Sequence, residues 1–336
     1  MDATLVIMWV GFILAAYSVV GNDVIQTLGT FLSSNEHRPW YILWLFAGSV
    51  MVATLVYGWV QYGGDVSYGR LIGDASDGYS LDNPKYKEPF DLPNFGWPYL
   101  LPPLVLLLLT RTGIPVSTSF LILTFFKPKG LYDMVIKSVS GYLVAFVVAI
   151  ILYLFITKTL ERRFANTEMD EKSRRRWTIA QWASTGFLWT QWLAQDFANI
   201  YVYLQRDVSV TTLIVSLAIL LLMLGYIFYS RGGAIQKIVK AKTNTTDIRS
   251  ATFIDLTFAF LLYFFKELNN IPMSTTWVFL GLLAGREIAM RYNLLGKVYG
   301  ATYKDLGRDL GKVFFGLVVS IALVFLIKIL GGQPIW

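Results

Sequence analysis

Pro115-Val116-Ser117-Thr118-Ser119 and Pro272-Met273-Ser274-Thr275-Thr276 repeat one pattern in opposite halves of the chain. Each opens the second of two short apolar runs, 97–110 with 114–126 and 251–265 with 271–285. The breaks are polar and contain proline: Thr110-Arg-Thr-Gly-Ile-Pro115 and Glu267-Leu-Asn-Asn-Ile-Pro272. A membrane crossing needs about 20 apolar residues, and no arm of either pair reaches that length. Short paired arms with a polar tip predict re-entrant helical hairpins, at about 97–126 and 251–285, whose broken backbone is satisfied by protein or water.

The rest of the chain supplies the bilayer context. Of its 336 residues, 55% are hydrophobic and 15% charged, and the mean hydropathy is +0.53. Soluble domains carry about 25% charged residues, so lipid is the expected solvent for much of this chain. Eleven Trp, 19 Tyr and 23 Phe suit interfaces between membrane and water. The absence of Cys excludes disulfides and thiolate metal sites, and the single His37 excludes a multi-His metal site. The net charge of +7 is read as basic cytoplasmic loops, not as a nucleic-acid surface. The start, Met-Asp-Ala-Thr, lacks the basic region of a cleavable signal, so the apolar run after it is expected to be a retained first span.

Six runs are long enough to cross: 3–33 (with polar breaks), 40–62, 134–157, 178–204, 210–229 and 312–330. Loop charges orient them. Seven basic residues lie in 158–177: Lys158, Arg162, Arg163, Lys172, Arg174, Arg175 and Arg176. Basic residues also populate 231–249 and 286–312, whereas 63–95 is acidic. Placing both termini outside puts every basic region in the cytoplasm. Each half then reads span, span, hairpin, span: 1–157 and 178–336, joined by the basic linker 158–177. Three crossings per half invert the second half relative to the first. The expected fold is an all-α polytopic membrane protein of two inverted-topology repeats, each with transmembrane helices and a re-entrant hairpin. Such repeats with interrupted helices point to a secondary transporter, and the interruptions to its binding site.

Two more interruptions match. Gly21-Asn22-Asp23-Val24-Ile25-Gln26 breaks the first span, and Ala194-Gln195-Asp196-Phe197-Ala198-Asn199 breaks its counterpart. Positions i and i+3 share a helix face, so Asp23 with Gln26, and Asp196 with Asn199, present clustered oxygens. Asn22 and Gln195 set an amide beside each carboxylate. A hard cation such as sodium takes such ligands once stripped of water. A single such Asp commonly caps a helix break or pairs with Lys or Arg. Two at equivalent places favour function, because intramembrane carboxylates are costly. The hairpin tips carry the complementary chemistry. Proline suits the first turn of a helix, and Ser117, Thr118, Ser119, Ser274, Thr275 and Thr276 then surround free N–H groups that favour an anion. Arg111, near the first tip, offers a planar guanidinium to a tetrahedral oxyanion, to an acid, or to the interface.

These paired motifs resemble those of the inorganic phosphate transporter (PiT) family of sodium- or proton-coupled symporters, whose repeat carries Gly-Ala-Asn-Asp-Val-Ala-Asn and later Pro-Ile/Val-Ser-Thr-Thr. The resemblance covers both halves, although only the short motifs match closely. It implies that Asn22, Asp23, Asp196 and Asn199 belong to the ion and substrate centre. It likewise implies that the six hydroxyl residues line an oxyanion site. It further implies inorganic phosphate as substrate, Na+ or H+ as coupling ion with no cofactor, and a homodimer in the plasma (inner) membrane. Gln26 and Gln195 stand where the family has Asn, and Phe120 and Trp277 where it often has His. Sulfate or another small oxyanion remains open as substrate, as does an anion channel or a non-transporting receptor on the same scaffold. An intramembrane aspartyl protease using Asp23 and Asp196 is disfavoured, since its Tyr-Asp, Gly-x-Gly-Asp and Pro-Ala-Leu signatures are absent and the hairpins would have no role.

Overall fold

The computed structural model describes residues 3–72, 95–112, 116–127, 131–157, 167–231, 247–268, 274–295 and 300–330. Pro115 and Pro272, most of the acidic 63–95 loop and most of the 231–249 loop lie outside these residues, as do 158–166 of the basic linker. All the regular structure described is helical. The first half contains α1 (Ala3–Val19), a π-helical turn (Val20–Val24), α2 (Ile25–Ser34), α3 (Trp40–Gln61), a 3-10 turn (Trp97–Leu100), α4 (Leu101–Arg111), α5 (Thr118–Leu121), α6 (Leu123–Phe126) and α7 (Leu131–Ile156). The second contains α8 (Glu171–Asp196), α9 (Ala198–Tyr201), α10 (Val210–Tyr229), α11 (Ile248–Leu268), α12 (Thr275–Leu295) and α13 (Gly300–Leu330).

Five described segments are long and apolar enough to cross a membrane: Ala3–Val24, Trp40–Gln61, Leu131–Ile156, Val210–Tyr229 and Ile248–Phe265. The chain is a polytopic all-α membrane protein. The expected crossings at 178–204 and 312–330 are not among the five; in the first, α8 carries Gln181, Ser184, Thr185, Gln191 and Gln195, polar residues that it buries against protein. It also starts inside the expected linker, where the Asp170 side chain caps it by accepting from Ser173 N at 3.3 Å. The arms of the expected second hairpin are longer than their apolar runs: α11 starts at Ile248 and α12 ends at Leu295, and Ile248–Phe265, expected as an arm too short to cross, is long and apolar enough to do so. The continuation of α12 buries Arg286, whose guanidinium stands 5.4 Å from the centre of the Tyr153 ring.

α7 shows how lipid and protein faces are divided. Ser138, Gly141, Ala145 and Ala149 form a buried stripe at helical spacing, while Leu143, Val147, Ile151 and Phe155 are exposed on another face. The small stripe receives α12 closely. A β-carbon on Gly281 or Gly285 would collide with the carbonyl oxygens of Tyr142 or Phe146. Small residues allow such backbone approach where water offers no driving force.

The principal packings come in pairs related by exchanging the halves. α1 packs on α4 as α8 does on α11; α3 on α8 as α10 on α1; α7 on α12 as α13 on α5; and α3 packs on α10 between them. One end of the bundle joins the loop after α3 to the segment before α10: Val208 N donates to Gly64 O (3.2 Å), and Trp59 Nε1 donates to Val208 O (2.6 Å). The other end joins the turn after α2 to α8 and α10, through Asn35 Nδ2 to Gln181 Oε1 (2.9 Å) and Arg231 Nη2 to Arg38 O (3.0 Å).

Candidate ion and anion site

The interruptions expected from sequence are present as breaks in otherwise regular helix. Asn22 and Asp23 lie in the π-helical turn between α1 and α2. π-turns inside α-helices occur frequently at functional sites. Asp196 ends α8, a turn at Phe197 follows, and Asn199 lies on the short α9. Asn22, Asp23, Gln195, Asp196 and Asn199 are all at most 2% exposed, deep among packed helices.

The first hairpin is the hub that both motifs grip. Asn22 Nδ2 donates to Asp23 Oδ1 (2.8 Å) and to the Val116 carbonyl (2.9 Å). From the other half, Asn199 Nδ2 lies within hydrogen-bond distance of Thr118 Oγ1 (3.0 Å), Asp196 Oδ1 (3.1 Å) and Ser119 Oγ (3.2 Å). Ser119 Oγ itself donates to Asp196 Oδ1 at 3.2 Å. The second hairpin meets the same strip of chain, with Thr276 Oγ1 donating to Val116 O at 3.4 Å. The Thr118 and Thr276 hydroxyls also lie beside the Asp23 carboxylate, the Thr275 hydroxyl beside Asp196, and the two carboxylates sense each other.

Two of the six hydroxyl residues act as helix caps. Ser117 Oγ accepts from Phe120 N and Ser274 Oγ from Trp277 N, each at 3.3 Å. Ser274 N is tied to Ser138 Oγ at 3.0 Å. Capping consumes acceptor capacity but leaves each hydroxyl proton to donate. Gln26 is buried in the first turn of α2 and makes no hydrogen bond to Asp23 among the described residues. Arg111 is exposed in the last turn of α4, and no described contact joins it to the cluster.

The site is rich in unmet oxygens. Asp23 Oδ2, Asp196 Oδ2, Asn199 Oδ1 and Gln195 Oε1 are buried without a hydrogen-bond partner among the described residues. A buried acceptor left unmet costs about 1–3 kcal/mol. Carboxylate and amide oxygens satisfy a hard cation well. The arrangement therefore combines unpartnered carboxylate and amide oxygens from both interrupted helices with hydroxyls from both hairpins.

Two charged residues escaped the motif reading. Arg70, in the loop after α3, donates Nη1 to the Gln195 carbonyl, and its charge acts on Asp196. Burial pulls its pKa down to about 10, which leaves it cationic at neutral pH. Asp255 of α11, 1% exposed, accepts from Thr30 and Thr185 hydroxyls. Its signal was present in the sequence as a lone carboxylate inside an apolar run. Arg70 gave none, because its direction depends on how the loop folds.

The chain is thus a membrane bundle of interrupted helices around a buried centre of carboxylates, amides and hydroxyls. A solved structure described as "The sodium-dependent phosphate transporter" has this fold: the match covers 98% of this chain and 100% of that one, with a TM-score of 0.59 and 17% identity. No family model matches the chain, and a sequence comparison with curated proteins gives no match.

Proposed function

We propose that this chain is a secondary transporter that couples a cation, sodium foremost, to the symport of inorganic phosphate by alternating access. What carries the reading is the meeting of Asp23 and Asp196, from interrupted helices in opposite halves, with Thr118, Ser119, Thr275 and Thr276 from the two hairpins. In this reading 1–157 and 178–336 are inverted repeats joined through the basic linker 158–177, with both termini extracytoplasmic. The exchange-related packings of the helices are what such repeats require. The similarity in fold to a protein described as sodium-dependent, together with hard oxygen ligands, favours sodium over protons.

The coupling follows from charge. Two carboxylates repel an incoming oxyanion, strongly so where water is excluded. A cation held by Asp23, Asp196 and the unmet amide oxygens offsets that repulsion. The Ser and Thr hydroxyls then donate to the phosphate oxygens. Rocking of one part of the bundle against the other would expose the loaded site on alternate sides.

The test is phosphate binding to purified protein in lipid nanodiscs, read by scintillation proximity with labelled phosphate. Sodium should raise affinity, and Asp23→Asn should weaken the sodium-dependent binding about 10- to 100-fold, the worth of a charge-assisted contact. Binding of phosphate that ignores both sodium and Asp23→Asn would contradict the proposal, and preferential binding of sulfate would replace phosphate as the substrate.

A further inference from the structure

The break after α8 is braced from outside its own half. α8 stops at Asp196 and α9 starts at Ala198, and the last carbonyls of a helix lack an intrahelical partner. In the first half, Thr27 Oγ1 donates to the Asp23 carbonyl at 3.0 Å and serves the corresponding break from within. The residue four after Asp196 is Ile200, whose side chain has no donor. Instead Arg70, from the loop after α3, donates Nη1 to Gln195 O in the last turn of α8. A cation suits the carbonyl end of a helix. The bond is to backbone, and no ion pair joins Arg70 to Asp196 among the described residues.

The loop Tyr62–Ile72 is wound so as to aim that side chain. Asp65 Oδ1 accepts from Ser67 N (2.7 Å) and from the Ser67 hydroxyl, and Oδ2 accepts from Leu71 N (3.2 Å) and Ile72 N (3.4 Å). Tyr68 and Gly69 turn the chain with left-handed φ of 61° and 77°. The Tyr68 hydroxyl donates to Thr54 O on α3 at 2.8 Å, and Val208 N of the other half donates to Gly64 O at 3.2 Å. We infer that Arg70 is a positioning residue, through which this loop holds the end of α8 where Asp196 and Asn199 meet Ser119 and Thr118 of the first hairpin. The inference rests on the proposed symport and names what steadies one half of its site. Asp196 is the residue next to the braced carbonyl, and Asn199 follows about one helical turn later. The brace crosses the halves: a loop of the first sets the break of the second.

The experiment measures binding of radioactive sodium, without phosphate, to the intact protein in nanodiscs. A brace and a bare charge predict opposite signs. Arg70→Met should weaken sodium binding about 5- to 30-fold, because one charge-assisted hydrogen bond no longer holds the ligands in place. Loss of a nearby positive charge alone would tighten it. Arg70→Lys, which keeps the charge and a donor, should stay within about 3-fold of the unaltered protein. Gly69→Val keeps every charge but strains the left-handed turn. It should weaken sodium binding about 3- to 10-fold, and it decides the matter alone if Arg70→Met does not fold. Sodium binding that is unchanged or tighter in Arg70→Met or in Gly69→Val would overturn the inference, as would an Arg70→Lys protein as weak as Arg70→Met. If the unaltered protein binds no sodium, sodium coupling itself fails, and the brace is read from phosphate binding. That affinity should then fall in Arg70→Met and recover in Arg70→Lys; an unchanged phosphate affinity in Arg70→Met would overturn the brace.

Discussion

At the scale of single residues, Asn199 ties the two halves of the site together. Its amide meets Thr118, Ser119 and Asp196, so it fixes the first hairpin to the second half's interruption. Asn199→Ala removes those bonds at about 1 kcal/mol or somewhat more. The expected outcome is a rise of about 5- to 30-fold in the phosphate concentration needed for half-maximal binding, with the folded protein retained. Asp255 carries a different burden. Asp255→Ala leaves the Thr30 and Thr185 hydroxyls without their acceptor, at a cost of about 1–3 kcal/mol; thermal unfolding in detergent should show a lower midpoint. The residues brought together were largely readable from sequence because they occur twice, and duplication marks them where a single Asp or Ser would not. Gln26 shows the limit. Shared helical spacing with Asp23 assumes an ordinary turn, and the π-turn changes which residues face the site.

At the scale of elements, the apolar runs located the helices but not their ends. α11 and α12 extend past their apolar stretches because protein covers their polar continuations, as at Arg286 over Tyr153. The breaks at Asn22–Asp23 and at Phe197 were legible as polar residues inside apolar runs, since a carboxylate in a span demands a reason. The tight seam of α7 and α12 was not, because Gly281 and Gly285 acquire meaning only once Tyr142 and Phe146 are opposite them. Gly281→Leu should push these helices apart and lower stability by about 1–3 kcal/mol, measured by loss of monodisperse protein on heating in detergent. An unchanged midpoint would mean that the seam is looser than described.

At the scale of the whole molecule, the helices of the two halves interlock rather than standing side by side. α7 of the first half holds α12 of the second, and α5 of the first half is packed by α13 of the second. Residues from both halves therefore complete one centre, which suits a site whose two sides open alternately. Loop charge suggested how the halves lie in the membrane, and repeated motifs suggested that their tips converge. Arg70 could not be anticipated, since it reaches the centre only through a turn built on Asp65 and two left-handed residues. The central claim is that phosphate and sodium move together through the Asp23–Asp196 centre. Its most direct test is uptake of labelled phosphate into proteoliposomes with and without an inward sodium gradient. The account predicts concentrative uptake that requires the gradient and is lost in Asp196→Asn; equal uptake with and without sodium, or a fully active Asp196→Asn protein, would contradict it.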